Sequence, residues 1–361
     1  MTGARAKWKR HDAGLLDKPT GLAYYGPMKK RAEELSPPMI QDVWNAYRAE
    51  LQRVEALIEK NLTSQVPLLN QIAHYILNSG GKRIRPLLLI MSAKLCRYTG
   101  EQHILLATLV EFIHTATLLH DDVIDQGDLR RGKKAVRTLW GNHASILVGD
   151  YLYVSAATHS ISLKNQEVNY ALLGACRQMI EGEMVQQARH SDLHVTDQDY
   201  LDIIRNKTAS LISATCRLGA IVGKAPETEK EALTQFGLDL GTAFQVADDT
   251  LDYVAQKDLL GKALGTDLKE GKVTLPLLHL LRTCSGEEKR KIRQIVKGNG
   301  SLKKEFGHIL ALMHRYGSVE YAMHLAQQYV DRAKARLAVF PDSSHKEALQ
   351  VVADYVVTRD H

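Results

Sequence analysis

From Met39 almost to the C-terminus, apolar residues recur at the three-to-four-residue spacing of an amphipathic helix. No sustained two-residue alternation interrupts that pattern, although Val, Ile and Thr are present. A chain made of helices alone can bury its apolar faces only by packing helix on helix. The expected fold class is therefore all-α, a single large helical bundle over residues 39–361. Residues 1–38 carry Gly, Pro and scattered charges, end in Ser36-Pro37-Pro38, and read as an irregular N-terminal extension. Breaks at Gly80-Gly81, at Gly286, and at residues 98–100, 127–132, 190–196, 223–226, 261–271 and 341–344 divide the bundle into roughly ten to twelve helices. There is no internal repeat and no low-complexity tract.

At 361 residues the chain is long for one domain and able to bury a sizeable core. The net charge of +6 is modest, aromatics make up only 6%, and basic residues are interleaved with acidic ones. That is not the basic stripe with aromatics of a nucleic-acid binder, so no nucleic-acid partner is expected. Cys96, Cys176, Cys216 and Cys284 form no C-x-x-C pair and sit in apolar surroundings, so they read as reduced core residues of a cytoplasmic protein. No signal peptide is expected, and Asp12 and Asp17 follow the basic first ten residues too soon for a transit peptide. The most apolar run, residues 103–119, contains Glu111 and His114 and ends in two aspartates, too short and too polar for a transmembrane span.

Two acidic clusters carry the chemistry. The first reads His120-Asp121-Asp122-Val123-Ile124-Asp125 and follows an apolar helical stretch; the second, Asp248-Asp249-Thr250-Leu251-Asp252, follows another. Asp121 and Asp125 share a helix face, as do Asp248 and Asp252, whereas Asp122 is turned by about 100°. Gln245 lies one turn before Asp249. Two carboxylates about 4 Å apart repel by about 4 kcal/mol at an effective dielectric near 20, so such a cluster needs a counter-charge. Hard oxygen ligands select a hard cation, and Mg²⁺ completes its shell with phosphate oxygens and water. Two facing clusters would clamp one diphosphate through several Mg²⁺ ions. A solvated acidic face is the bland alternative for one D-D-x-x-D and a poor account of two, each after an apolar helix.

Cations accompany the acids. Gly80-Gly81-Lys82-Arg83-Ile84-Arg85-Pro86 gathers three basic residues near a helix start, with Pro86 in its first turn, an arrangement suited to an anion. Arg130-Arg131-Gly132 follows the first cluster, Lys207-Thr208 sits within a helix, and Lys262 follows the second cluster in a glycine-rich loop. Residues 265–272 resemble a P-loop only faintly: the glycine spacing is wrong and Val273 stands where Ser or Thr is needed.

Taken in order, GGKRIRP, EFIHTATLLHDDVID, RRG, GDYL, GEMVQ, KTASL, FQVADD, LGK and EGKVTLP resemble the motifs of the trans-isoprenyl diphosphate synthases, or polyprenyl synthetases, over residues 45–361. The resemblance implies the isoprenoid synthase bundle with a central active-site cavity, a homodimer, and two diphosphate subsites. An allylic diphosphate of the farnesyl or geranylgeranyl type would bind through three Mg²⁺ ions to Asp121, Asp122, Asp125, Asp248, Asp249 and Asp252, with Arg130, Lys207 and Lys262 beside it. Isopentenyl diphosphate would be gripped by Lys82, Arg85, His114 and Arg131. Thr208 and Gln245 match positions that steady the allylic cation. The product would be a long-chain all-trans polyprenyl diphosphate of the quinone side-chain type, released with at most peripheral membrane contact. The N-terminal extension departs from the family pattern.

Other readings are a short-chain synthase, a terpene cyclase, a helical metal-dependent phosphohydrolase using His120 and Asp121, and a regulatory subunit. A cyclase usually lacks the GGKRIRP cluster and the second D-D-x-x-D, a phosphohydrolase needs further histidines, and a regulatory subunit loses the aspartates. Product length rests on Ala116 and Thr117, the fifth and fourth residues before Asp121. In the family, bulky residues there block the tunnel in which the chain grows, and both are small here. Ala116→Phe is expected to shorten the product, read by chromatography of the extracted prenyl alcohols; unchanged chain length would refute a tunnel wall at this position.

Overall fold

The computed structural model describes residues 37–358 apart from 63, 78, 255–264 and 297–301. In chain order the helices are α1 Pro37–Ala46, α2 Arg48–Asn61, α3 Pro67–Leu77, α4 Ile84–Leu95, α5 Gln102–Ile124, α6 Val136–Ser162, α7 Gln166–Ala188 and α8 Asp197–Ile204. A π turn, Arg205–Ala209, leads into α9 Ser210–Val222 and α10 Glu227–Val254. There follow α11 Thr266–Lys269, α12 Leu275–Thr283, α13 Gly286–Gln294, α14 Leu302–Arg315, α15 Ser318–Arg336 and α16 Ser344–Thr358. The all-α class is as the periodicity implies. The helices outnumber the ten to twelve expected because several breaks carry no glycine or proline. Asn165 starts α7 by accepting the Glu167 and Val168 amides, and Thr196 starts α8 through a reciprocal capping box with Asp199.

Two helices form the centre. All of α4 from Pro86 to Leu95 is buried except Lys94, and α5 is buried along most of its length. α5 packs against α4 and α6, α9 against α4, α7 and α10, and α10 against α15. At 23 residues, α5 is longer than expected and is apolar enough to cross a membrane, yet 72% of its most apolar stretch is buried inside the bundle. A second, smaller core gathers Tyr253, Leu277, Ile292, Ile309 and Met313 under α12 to α14. Asp239 on α10 is buried and paired with Arg332 and Arg336, which pins α15 across it.

A small hairpin is the only strand pairing among the described residues, joining Leu129 with Lys134 and Arg130 with Lys133. Its two-residue turn puts Arg131 at φ 52° and Gly132 at φ 74°, the positive values such a turn demands. Periodicity could not register four paired residues.

One cation of the glycine-flanked cluster leaves the anion site. Arg83 is expected beside Lys82 and Arg85, but its side chain turns inward. It donates to Glu55 Oε1 and Glu111 Oε1, each at 2.5 Å, and to Leu77 O at 2.9 Å. It thereby ties α2, α3 and α5 to the start of α4. Glu111 is 3% exposed, so Glu111→Ala would remove one of the two carboxylates that pair with Arg83 and leave Glu55 as its one acidic partner. A loss of about 1.5–3 kcal/mol is expected, read from the urea midpoint.

Candidate active site

The first cluster sits in the last turn of α5, with Asp125 as its C-cap, and the second in the last two turns of α10. Carboxylates at helix C-termini face the negative end of the dipole, so these positions carry a cost that cations must offset. One cleft of about 410 Å³ is lined by Asp125 from the first cluster and Asp249 from the second. Lys207, Thr208 and Gln245 line the same cleft, as does the segment from Asp267 to Thr274 that follows the second cluster.

The six aspartates are not equivalent. Asp122 is buried, and its Oδ1 accepts from Arg130 Nε and Nη2 at 2.9 and 2.5 Å, while Oδ2 is buried with no hydrogen-bond partner. Asp125 Oδ2 accepts from Lys272 Nζ at 2.8 Å, and the same ammonium reaches Glu270 at 2.7 Å. Asp249 has both oxygens occupied: the Tyr200 hydroxyl donates to Oδ2 at 2.7 Å and Gln245 Nε2 to Oδ1 at 2.6 Å. Gln245 Oε1 in turn accepts from Thr208 Oγ1 at 2.8 Å. Asp252 accepts the Thr266 and Asp267 amides at 3.2 and 3.0 Å, so it caps α11 and holds the segment that carries Lys272. Asp248 is exposed. Lys207 pairs with Glu183 of α7 at 2.5 Å.

Burial dominates the electrostatics. It raises Asp121 to about 6, with Lys207 opposing it and Glu183 and Asp125 adding to it. It raises Asp249 to about 7 against the hydrogen bonds from Tyr200 and Gln245. Asp267 lies well above the carboxylate range, through burial and then the charges of Asp249 and Asp252. For Lys272, burial opposes the charge, but Asp125, Asp267 and Glu270 together hold it above the ordinary lysine range.

Among the residues expected to grip isopentenyl diphosphate, Arg85, His114 and Arg131 come together. Burial and then Arg85, Arg131, Arg130 and Arg83 push His114 well below its usual pKa, so the ring is neutral at physiological pH. Burial lowers Arg85 to about 10, with Glu111 opposing and Arg131 assisting. A Cβ on Gly81 would lie 2.7 Å from Arg131 Nη1, so this glycine admits the guanidinium. Lys82 donates to the Tyr355 hydroxyl at 2.6 Å, anchored to α16. Ala116 is 0% exposed within the core, and Thr117 Oγ1 is bound to His114 O at 2.7 Å. Lys262 lies outside the described residues.

Sequence reasoning did not single out Tyr200, Glu183, Asp267, Glu270 or Lys272. Glu183 stands inside GEMVQ, and Glu270 and Lys272 inside EGKVTLP, so the signal was present in the motifs. Tyr200 had none, because its role depends on a contact 49 positions away.

Among the described residues no three acidic, His or Cys side chains form a ready-made metal cage. That is compatible with Mg²⁺, which usually takes one or two carboxylates and fills its shell with water and substrate phosphate. The raised Asp121 and the unpartnered Asp122 Oδ2 are the marks of carboxylates lacking positive charge. The raised folded-state value also has a sign. Below the unfolded value near 4, Asp121 is protonated in both states; between about 4 and about 6 only the unfolded chain ionises, so stability falls across that window and the whole loss is in place above it. In chelated buffer Asp121→Asn is therefore expected to match wild type in Tm at about pH 4 and exceed it at about pH 8. Equal Tm at the higher pH would show that Asp121 is not strained.

The polyprenyl synthetase family profile matches residues 66–313. Octaprenyl diphosphate synthase of Escherichia coli is 42% identical over 313 residues, 86% of this chain and 96% of that protein. A crystal structure of a polyprenyl synthase from Caulobacter crescentus, complexed with calcium and isoprenyl diphosphate, superposes with a TM-score of 0.86 at 37% identity, covering 89% of this chain and 98% of that one. A decaprenyl diphosphate synthase from Rhodobacter capsulatus superposes with a TM-score of 0.84 at 36% identity, covering 88% and 98%. Sequence and architecture agree over the whole bundle: the chain belongs to the polyprenyl synthetase family.

Proposed function

We propose that this enzyme condenses isopentenyl diphosphate with an allylic diphosphate of the farnesyl or geranylgeranyl type, repeatedly, to make a long-chain all-trans polyprenyl diphosphate for a quinone side chain. The observation that carries the reading is the shared cleft, in which Asp125 and Asp249 come from separate clusters and meet Lys207 and Lys272. Mg²⁺, three ions in this reading, would be held by the two clusters, chiefly Asp121, Asp125 and Asp248, and would stabilise charge on the departing pyrophosphate. Asp122 gives one oxygen to Arg130, while Asp249 and Asp252 use both of theirs on protein donors and act as orienting groups.

The chain's own residues do the rest. Lys207, with Arg130 and Lys262, draws the allylic diphosphate into the cleft and balances its charge. The Thr208 hydroxyl donates its hydrogen bond to Gln245 Oε1, which leaves its lone pairs to face a developing allylic cation. Arg85, Arg131 and Lys82 hold the second diphosphate, with neutral His114 as a further hydrogen-bonding group. The double bond of isopentenyl diphosphate attacks the allylic carbon, pyrophosphate leaves, and the proton lost from the adduct passes to it. The growing chain would pass Ala116 and Thr117, whose small side chains obstruct it least, and Ala116, packed in the core, would have to gain space beside it.

The enzyme works as a homodimer in this reading. Leu147, Val154 and Ile161 on α6 and Tyr170, Ile180 and Met184 on α7 expose 58–71% of their surface, an apolar stripe suited to a second copy. Four unpaired thiols suit the cytoplasm, and membrane contact is peripheral, limited to product release.

The test is incubation of the purified chain with Mg²⁺, farnesyl diphosphate and radiolabelled isopentenyl diphosphate, followed by product chromatography. Products longer than geranylgeranyl diphosphate are expected. Arrest at farnesyl or geranylgeranyl length would support a short-chain enzyme, and pyrophosphate release without isopentenyl diphosphate a cyclase. Asp121→Ala and Asp248→Ala are expected to lower turnover by orders of magnitude with helical circular dichroism unchanged.

A further inference from the structure

Lys207 and Thr208 both sit on the π turn between α8 and α9, where the backbone departs from α-helical hydrogen bonding. The Ser210 amide reaches back five residues to Arg205 O instead of four to Asn206 O. Asn206 O thus loses its usual donor, and the Ser210 hydroxyl replaces it at 2.5 Å. The widened turn takes more space than an α turn, and two neighbours provide it. On one side is Gly182 of α7, where an added Cβ would lie 2.6 Å from Lys207 N and 2.9 Å from Asn206 Cβ. On the other is Gly241 of α10, where it would lie 2.6 Å from Ala209 Cα and 2.8 Å from Ala209 Cβ. These are backbone atoms or atoms fixed to backbone, so no side-chain rotation relieves the clash. Neither glycine has a positive φ, so close approach is what these positions require.

We propose that Gly182, Gly241 and Ser210 are positioning residues for prenyl transfer, which hold the π turn so that Lys207 and Thr208 address the allylic substrate. The inference rests on assigning Lys207 and Thr208 to that substrate. One residue more or less within a helical turn rotates every later side chain by about 100°. Loss of the π turn would therefore part Lys207 from Glu183 and Thr208 from Gln245, two contacts now at 2.5 and 2.8 Å. Gly182 and Glu183 are adjacent, so the same point of α7 both admits the turn and supplies the carboxylate that aims its lysine. Displacement of a substrate-contacting group by about 1 Å can cost on the order of 100-fold in rate.

The test compares Gly182→Ala, Gly241→Ala and Ser210→Ala with Gly219→Ala. A Cβ on Gly219 would lie 2.5 Å from Ser92 Cβ and 2.7 Å from Ala93 N, an equally tight contact made against α4 instead of the π turn. Farnesyl diphosphate and isopentenyl diphosphate are varied separately, and Tm is recorded. The three π-turn variants are expected to lose roughly tenfold or more in kcat and to raise KM for farnesyl diphosphate about fivefold, leaving KM for isopentenyl diphosphate within about twofold. Ser210→Thr, which keeps the hydroxyl, restores kcat, and Gly219→Ala lowers Tm alone. Gly182→Ala and Ser210→Ala behaving like Gly219→Ala in both kinetic constants would overturn the proposal. If a glycine variant does not fold, Ser210→Ala against Ser210→Thr decides. Lys207→Ala separates the two levels of inference. Full activity there removes the substrate assignment itself, whereas an impaired Lys207→Ala beside an undisturbed Ser210→Ala overturns only the role of the turn.

Discussion

Repulsion between carboxylates gathered at two helix ends is the interaction around which this protein is arranged. Asp121, Asp122 and Asp125 crowd the C-terminal end of α5, and Asp248, Asp249 and Asp252 the last turns of α10. Each set meets both its own kind and the unfavourable end of a helix dipole. The protein relieves part of that cost through Arg130 on Asp122, Lys272 on Asp125 and neutral donors on Asp249. What is left uncompensated is shown by Asp121, raised to about 6 by burial. A site that keeps such residual strain stores affinity for divalent cations and for the diphosphate that travels with them.

The rigid framework makes that strain tolerable. α4 and α5 are buried on nearly every side, and Arg83 locks the start of α4 to Glu55 and Glu111. Helix pairs come close at Gly219, Gly237 and Gly241, where a methyl group would strike the neighbouring helix. These close approaches fix α9 against α4 and α10, and the charges on α5 and α10 are answered by partners close at hand. Asp252 is answered by the first amides of α11, so one member of the cluster organises the segment that delivers Lys272 to the other.

Much of this was legible in the sequence because it is local. A 3.6-residue period reports helices, and an i, i+4 spacing reports which aspartates share a face. The motifs placed Lys207, Thr208, Gln245, Arg130 and Arg131 near the acids, and the structure brings Thr208, Gln245 and Asp249 into one hydrogen-bonded chain. The break capped by Asn165 left a weaker trace than those made by glycine, so helices were undercounted, whereas the one ending at Thr196 was legible.

What the sequence determined by itself was the helical class, the family and the roster of charged residues, since each is carried by spacing along the chain. What only the tertiary structure decided was how those residues are spent. Arg83 and Arg85 stand two positions apart in one motif, yet the first is consumed by buried glutamates and the second lies beside His114 and Arg131. Asp248 and Asp249 are adjacent, yet one is exposed and the other is buried under Tyr200 and Gln245. Side chains next to each other on a helix point about 100° apart, so neighbours in sequence meet different surroundings, and only the packing of distant segments determines which.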